Sequence, residues 1–161
     1  MVTASLLDGR ALSVVVFNLE QQRYALHLSA VERVLPMVAV SPLPKAPAIA
    51  LGVINFHGAV LPVLDLRHRL ALPARDYGVT AHLLVARTSR RRVAMPLDEV
   101  LGVHAVAATA VVPPDAVLPG TAHVAGIAGL PDGLLFIYDL DTFLSLNEEQ
   151  QLTQALEETT E

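Results

Sequence analysis

One stretch of this chain is written twice. Gly52-Val53 leads through Val60-Leu61-Pro62-Val63-Leu64-Asp65-Leu66 to Leu70. Gly126-Ile127 leads through Leu134-Leu135-Phe136-Ile137-Tyr138-Asp139-Leu140 to Leu144. The spacing from Gly52 to Gly126 is the same as that from Asp65 to Asp139. Gly, Leu, Asp, Leu and Leu recur, while Val, Ile and Leu positions exchange among themselves. An echo at fixed spacing signals two structural units of like shape. A second echo runs at a slightly shorter spacing: Ala25-Leu26-His27-Leu28 maps to Ala94-Met95-Pro96-Leu97, and Val31 maps to Val100. The second copy therefore carries extra residues before Gly126. The loop Val111 to His123, with Pro113, Pro114, Pro119 and Gly120, is their natural place.

Composition narrows what such a doubled unit does. The 161 residues fit one ordinary domain or two very small ones. Apolar residues make up 53%, and mean hydropathy is +0.49. Even so, no apolar run reaches the ~18 residues of a membrane span. Each run breaks at Gly, Pro, Asn or Asp within about ten residues, the spacing of short strands. No basic region followed by an apolar core opens the chain, so no signal peptide is expected and the cytoplasm is the default. The absence of cysteine removes disulfides, thiolate nucleophiles and Cys-based zinc sites. A net charge of −5 disfavours nucleic acid as partner. The only basic run, Arg90-Arg91-Arg92, reads as a solvated hairpin tip.

Strands are predicted at Leu12 to Leu19, Tyr24 to Leu28, and Val31 to Leu35, where Pro36 ends the run. Residues 36–48 hold Pro36, Pro42, Pro44 and Pro47, which predicts an extended, semi-rigid loop. Its apolar members Met37, Val38, Val40 and Leu43 either fold back or face a partner. Pro47 is placed to open a short helical turn ending at Gly52. Val53 to Phe56 and Ala59 to Leu64 form a hairpin about His57-Gly58. Leu83 to Ala86 and Val93 to Leu97 repeat the early strands around the turn Ser89 to Arg92. At the end, Asn147 is placed to cap a helix whose first turn carries Glu148 and Glu149, with Leu152 and Leu156 four apart. Past Ala155 the tail is acidic and expected to fray. The sum is a mostly-β barrel or sandwich, with about five strands per copy suiting two small barrels around a shared core. The domain is expected over 12–147, with subdomains near 12–78 and 79–147. A C-terminal helix and acidic tail are expected over 148–161.

Catalytic readings fare poorly. Asp65 and Asp139 suggest an aspartate dyad and hence a hydrolase. Each, however, precedes Leu and a helix-like stretch rather than an Asp-Thr/Ser-Gly turn. A strand-end Asp that caps the next turn is the better reading. Asp98-Glu99 reads as a polar turn after the Leu97 strand. The histidines at 27, 57, 68, 82, 104 and 123 show no metal-ligand spacing. No Gly-x-Ser-x-Gly turn or phosphate loop occurs. No catalytic, metal or cofactor-binding residue is assigned, and the chain is read as a non-enzyme. His57 draws attention because its turn, Asn55-Phe56-His57-Gly58, has diverged from the matching Leu130-Pro131-Asp132-Gly133 of the second copy.

The segment Pro47 to Arg67 resembles the CheW family of chemotaxis coupling proteins. That family's pattern there is Pro, then Gly-Val-x-Asn-Leu-Arg-Gly, an apolar pair, and Pro-Val-x-Asp-Leu-Arg. Phe17, Tyr24-Ala25-Leu26, Val31, the Leu97-Asp98 strand end and the Gly126 hairpin match in order. The resemblance covers about residues 12–147. It implies a pair of SH3-like five-stranded β-barrels and a non-enzymatic adaptor without cofactors. It further implies coupling of a chemoreceptor's cytoplasmic tip to the CheW-like regulatory domain of a histidine kinase, at membrane receptor arrays. By position, the residues implied in receptor binding are Val31, Arg33, Asn55, Phe56, His57 and Gly58. The partner-facing loop comprises Met37, Val38, Val40 and Leu43. Two positions depart from the family: its turn arginine is His57 here, and a frequent glutamate is Arg33. An arginine is a permanently charged bidentate donor, whereas histidine changes charge near neutrality. The departure fits a coupling protein of a surface-sensing or twitching-motility pathway.

Overall fold

A computed structural model describes residues 11–113, 123–131 and 133–160. Eleven strands are described: β1 (Ala11–Leu19), β2 (Gln22–His27), β3 (Val31–Pro36), β4 (Ala50–Phe56), β5 (Ala59–Leu64), β6 (His82–Arg87), β7 (Arg92–Leu97), β8 (Glu99–Ala107), β9 (Val111–Val112), β10 (Val124–Leu130) and β11 (Gly133–Tyr138). Two α-helices join them, α1 (Leu66–Arg69) and α2 (Leu146–Thr160). No helix among the described residues is long and apolar enough to cross a membrane.

The strands form two sheets, ordered β8-β1-β2-β11-β10-β9 and β3-β6-β7-β5-β4. Apart from the two-residue β9, the two orders are the same order. Yet each sheet draws strands from both copies of the repeat. The chain accordingly divides into two interleaved compact units. The first comprises the chain up to Val31 with Glu99–Leu140, and the second comprises Glu32–Asp98 with Asp141 onward. This differs from the expected division at 12–78 and 79–147. The reason lies in pairing: β8 joins β1, and β3 joins β6.

The two echoes reappear as register. In the first unit Val16 pairs Ala25, and Ala25 lies beside Ile137 in a parallel pair. In the second, Val85 pairs Ala94, and Ala94 lies beside Val63. Both glycine hairpins carry the same irregularity, between Ala50 and Gly52 and between Val124 and Gly126. Each unit has its own apolar cluster. One holds Val14, Val16, Ala25, Ala128, Leu135 and Ile137; the other holds Ile54, Leu61, Val63, Leu83, Val85 and Ala94.

Several local expectations change. The Pro47 segment is a single turn, Ala50 N–H to Pro47 O at 2.9 Å, and β4 starts at Ala50 rather than after a helix. The β4–β5 loop is two residues, with Phe56 opposite Ala59, as Leu130 is opposite Gly133. Leu130 therefore corresponds to Phe56, one position away from the turn-for-turn match with Asn55. Asp132 and most of the proline loop before His123 lie outside the described residues. Arg90-Arg91-Arg92 is not simply a solvated tip. Arg91 Nε bonds Glu149 Oε1 at 3.0 Å, and Arg92 approaches Glu32.

The second unit keeps α2 through a reciprocal cap. Ser145, not Asn147, starts the helix: Glu148 N–H donates to Ser145 Oγ at 3.1 Å, and Ser145 N–H donates to Glu148 Oε1 at 2.9 Å. Leu152 and Ala155 are buried, and the helix is described through to Thr160. Partial burial alone would raise the Glu148 carboxyl. The Ser145 N–H and the Arg69 guanidinium outweigh it and hold the group below its usual range. Its contribution is therefore present above the unfolded value of about 4.3 and is lost as pH falls through the lower folded value. Glu148→Gln is expected to flatten the acid limb of stability measured by urea unfolding between neutral and strongly acid pH. Ser145→Ala is expected to cost about 1 kcal/mol in the same assay.

Candidate partner-binding surface

The Asp-Leu-Arg string after β5 is a structural joint. Asp65 caps α1, its Oδ1 accepting Arg67 N–H at 3.1 Å and the Tyr77 hydroxyl at 3.2 Å. Burial and then the Asp65 charge push the Tyr77 hydroxyl well above its usual range, so it stays a donor. Leu66 is buried, and so is Arg67, whose Nη2 meets Asp98 Oδ2 at 2.6 Å. The backbone repeats this joint. Asp65 N–H donates to Ile49 O and Asp139 N–H to His123 O, both at 2.8 Å, so donor and acceptor alike recur at the spacing of the two glycines. Asp65 thus does the capping expected of a strand-end Asp, which leaves its carboxylate engaged rather than presented to a substrate. Asp98 is a partner of buried Arg67 and of Arg75, at 2.7 Å, and so is more than a polar turn. Among the described residues no group of three His, Asp or Glu is placed to hold a metal ion.

The diverged turn is different. Asn55 Oδ1 accepts Gly58 N–H at 2.8 Å across the β4–β5 loop, where His57 has φ 53° and Gly58 φ 87°. These are the positive φ values of a two-residue hairpin turn whose twist matches its strands. The turn pushes His57 into solvent, its ring edge-on to Phe56 with centroids 4.5 Å apart. Arg33 on β3 brings Nη1 to 3.5 Å from His57 Nε2, a long contact. Beyond Phe56, the Arg92 guanidinium lies 5.7 Å over the ring and Nε is 3.8 Å from Glu32. One surface of the second unit thus runs Arg33, His57, Phe56, Arg92, Glu32.

Four of the six turn and β3 residues singled out from sequence, Arg33, Asn55, His57 and Gly58, are exposed. Phe56 and Val31 are half-buried, with Val31 at the start of β3. The surface includes two residues that sequence reasoning missed. Arg92 was assigned to a tip, and Glu32 carried no local signal beyond its place beside Arg33. The proline loop is a partial correction. Leu43 is buried, Met37 and Val40 are half-buried and pack against the second unit's cluster, and Val38 is 46% exposed. Met37, Val38, Val40, Leu51 and Val79 line an open groove of about 580 Å³ in this unit.

Two β-rich units with the same order of strands define the class of fold, consistent with the two SH3-like subdomains expected. The CheW-like domain model matches residues 13–148, and the chain belongs to that family. It is 29% identical over 144 residues to the chemotaxis protein CheW of Rhizobium meliloti, covering 88% of this chain and 92% of the relative. It is 31% identical over 98 residues to protein FrzA of Myxococcus xanthus, covering 61% of each chain. The crystal structure of the scaffolding protein TtCheW from Thermoanaerobacter tengcongensis superposes with a TM-score of 0.78 at 27% identity. That match covers 86% of this chain and 95% of the other.

Proposed function

We propose that this protein is a non-enzymatic scaffold that couples methyl-accepting chemoreceptors to a histidine kinase in a cytoplasmic chemosensory array. The observation that carries the reading is the Arg33–His57–Phe56–Arg92–Glu32 surface, which β3, β7 and the two-residue β4–β5 turn bring together in a CheW-like domain. A binding surface of this kind transmits a signal by contact. It needs pre-positioned side chains and no reacting group, and it needs no cofactor. The receptor's cytoplasmic tip is assigned to Val31, Arg33, Asn55, Phe56, His57 and Gly58.

Pull-down with a receptor signalling fragment and with a kinase regulatory domain tests this. Both are expected to be retained by the folded protein, and retention of neither would overturn the reading. His57→Ala is expected to weaken receptor binding about fivefold while leaving kinase binding near native. Equal loss of both would make His57 structural. A second reading is motivated by the Arg33–His57 couple, which stands where the family pattern has a frequent Glu and a turn Arg. It makes the pathway a surface-sensing or twitching-motility array, and a gene neighbourhood of flagellar components would contradict it.

A further inference from the structure

The two units are built alike, yet one is filled where the other is open. In the second unit Phe56 packs against the cluster that contains Leu61 and Val85, and Arg92 lies over its ring. Matched by the two echo spacings, the first unit has Leu130 for Phe56, Val106 for Met37, Leu135 for Leu61, Val16 for Val85 and Arg23 for Arg92. Packing supports the equivalence, since Leu130 and Val106 flank the first unit's cluster as Phe56 and Met37 flank the second's. Two large side chains are thus replaced by smaller ones at matching places. The smaller side chains leave this place less filled: Val16, Arg23, His104, Val106, Leu130 and Leu135 are among the residues lining a cavity of about 340 Å³ that opens to the surface.

We infer that this cavity is a binding site for an aromatic side chain of a partner polypeptide, a phenylalanine seated where the second unit seats its own Phe56. The occupant is read from the molecule itself. The same strand order and the same arginine position already hold a phenyl ring in the sister unit. The space is ample, since an apolar cavity of roughly 150 Å³ accepts benzene. A ring entering it would lie on Val16 and Leu135 and against Arg23, an arrangement that favours aromatic over aliphatic side chains. The site lies in the first unit, outside the Arg33–His57 surface. Only the polypeptide source of the ring rests on the scaffold reading.

The test is a methyl NMR titration of the full chain with N-acetyl-L-phenylalaninamide, with the leucine amide as control. The phenylalanine probe is expected to shift Val16, Val106, Leu130 and Leu135 saturably, to leave Leu61 and Val85 unmoved, and to exceed the leucine probe. Leu130→Phe fills the cavity and is expected to abolish the response. Phe56→Leu opens the sister position and is expected to create a response at Leu61 and Val85. A native protein without saturable shifts, or a folded Leu130→Phe variant that still responds, overturns the site. In parallel, Leu130→Phe is expected to lower affinity for the receptor fragment or the kinase domain about tenfold. A probe that binds while neither partner is affected overturns the polypeptide source. If the native protein retains neither partner, the scaffold reading falls, while the titration still decides the cavity.

Discussion

Replacing Arg67 with alanine is expected to cost about 3–5 kcal/mol of folding free energy, the loss typical of breaking a buried ion pair from one side. Arg67 is fully buried. Its Nη2 meets Asp98 at 2.6 Å, its Nη1 donates to Pro73 O at 3.2 Å, and its guanidinium lies 5.8 Å from the Tyr77 ring centroid. Alanine removes the stem's packing together with the charge, and it leaves the Pro73 carbonyl and the Asp98 carboxylate without this donor. Arg75, at 2.7 Å from the same Asp98 oxygen, is half exposed and compensates only in part. Arg67→Met keeps the stem volume and is expected to lose less. Arg67→Met with Asp98→Asn removes both charges and is expected to approach native stability. Urea unfolding of the set checks this. A loss below about 1 kcal/mol for Arg67→Ala, the ceiling typical of an exposed pair, would show that the pair does not hold the segment from α1 to β7.

Gly52→Ala is expected to cost roughly 2–4 kcal/mol, from backbone strain and overpacking together. Gly52 has φ 153°, and an added Cβ would stand 2.1 Å from Ser41 O and 2.8 Å from Val40 Cγ1. The first of these is backbone and is tied, because Ser41 and Val53 exchange hydrogen bonds at 2.9 and 2.8 Å. Relief would require the proline loop to move off β4, carrying Val38 with it. Gly126 is the echo of Gly52, but a Cβ there meets chiefly Val111 Cγ1, at 2.3 Å. A side chain yields more readily than a tied carbonyl. Gly126→Ala is therefore expected to cost less than Gly52→Ala under the same unfolding assay. An equal or reversed ranking would contradict the account of why both hairpins open on glycine.

Much of the fold was legible because period-two patterning and turn residues are local signals. The two echo spacings even anticipate register, as the matched pairs Ala25–Ile137 and Ala94–Val63 show. The exchange of strands between copies was not legible. Pairing of β8 with β1 joins residues far apart in the chain, such as Val14 and His104, and nothing local names the partner. The same limit hid the surface. Arg92 read as part of a charged run until β3 brought Glu32 beside it, and Arg91 until α2 brought Glu149. Leu43 looked partner-facing because a proline-rich loop hides which side chains turn inward; it is buried. At α2 both Ser145 and Asn147 are good caps. The choice falls to Ser145 because Glu148, three residues on, returns its hydrogen bond. The turn Asn55-Phe56-His57-Gly58 was found by its divergence within the repeat, a signal available in a single chain.

The central claim, that this protein bridges two partners, is tested most directly by co-sedimentation of a three-component mixture. A receptor signalling fragment inserted in vesicles, the kinase with its CheW-like regulatory domain, and this protein are combined and pelleted. The account predicts that the kinase pellets with the vesicles only when this protein is present, and that His57→Ala reduces this recruitment. Kinase recovery independent of this protein, or binding of receptor and kinase that excludes one another, would contradict it.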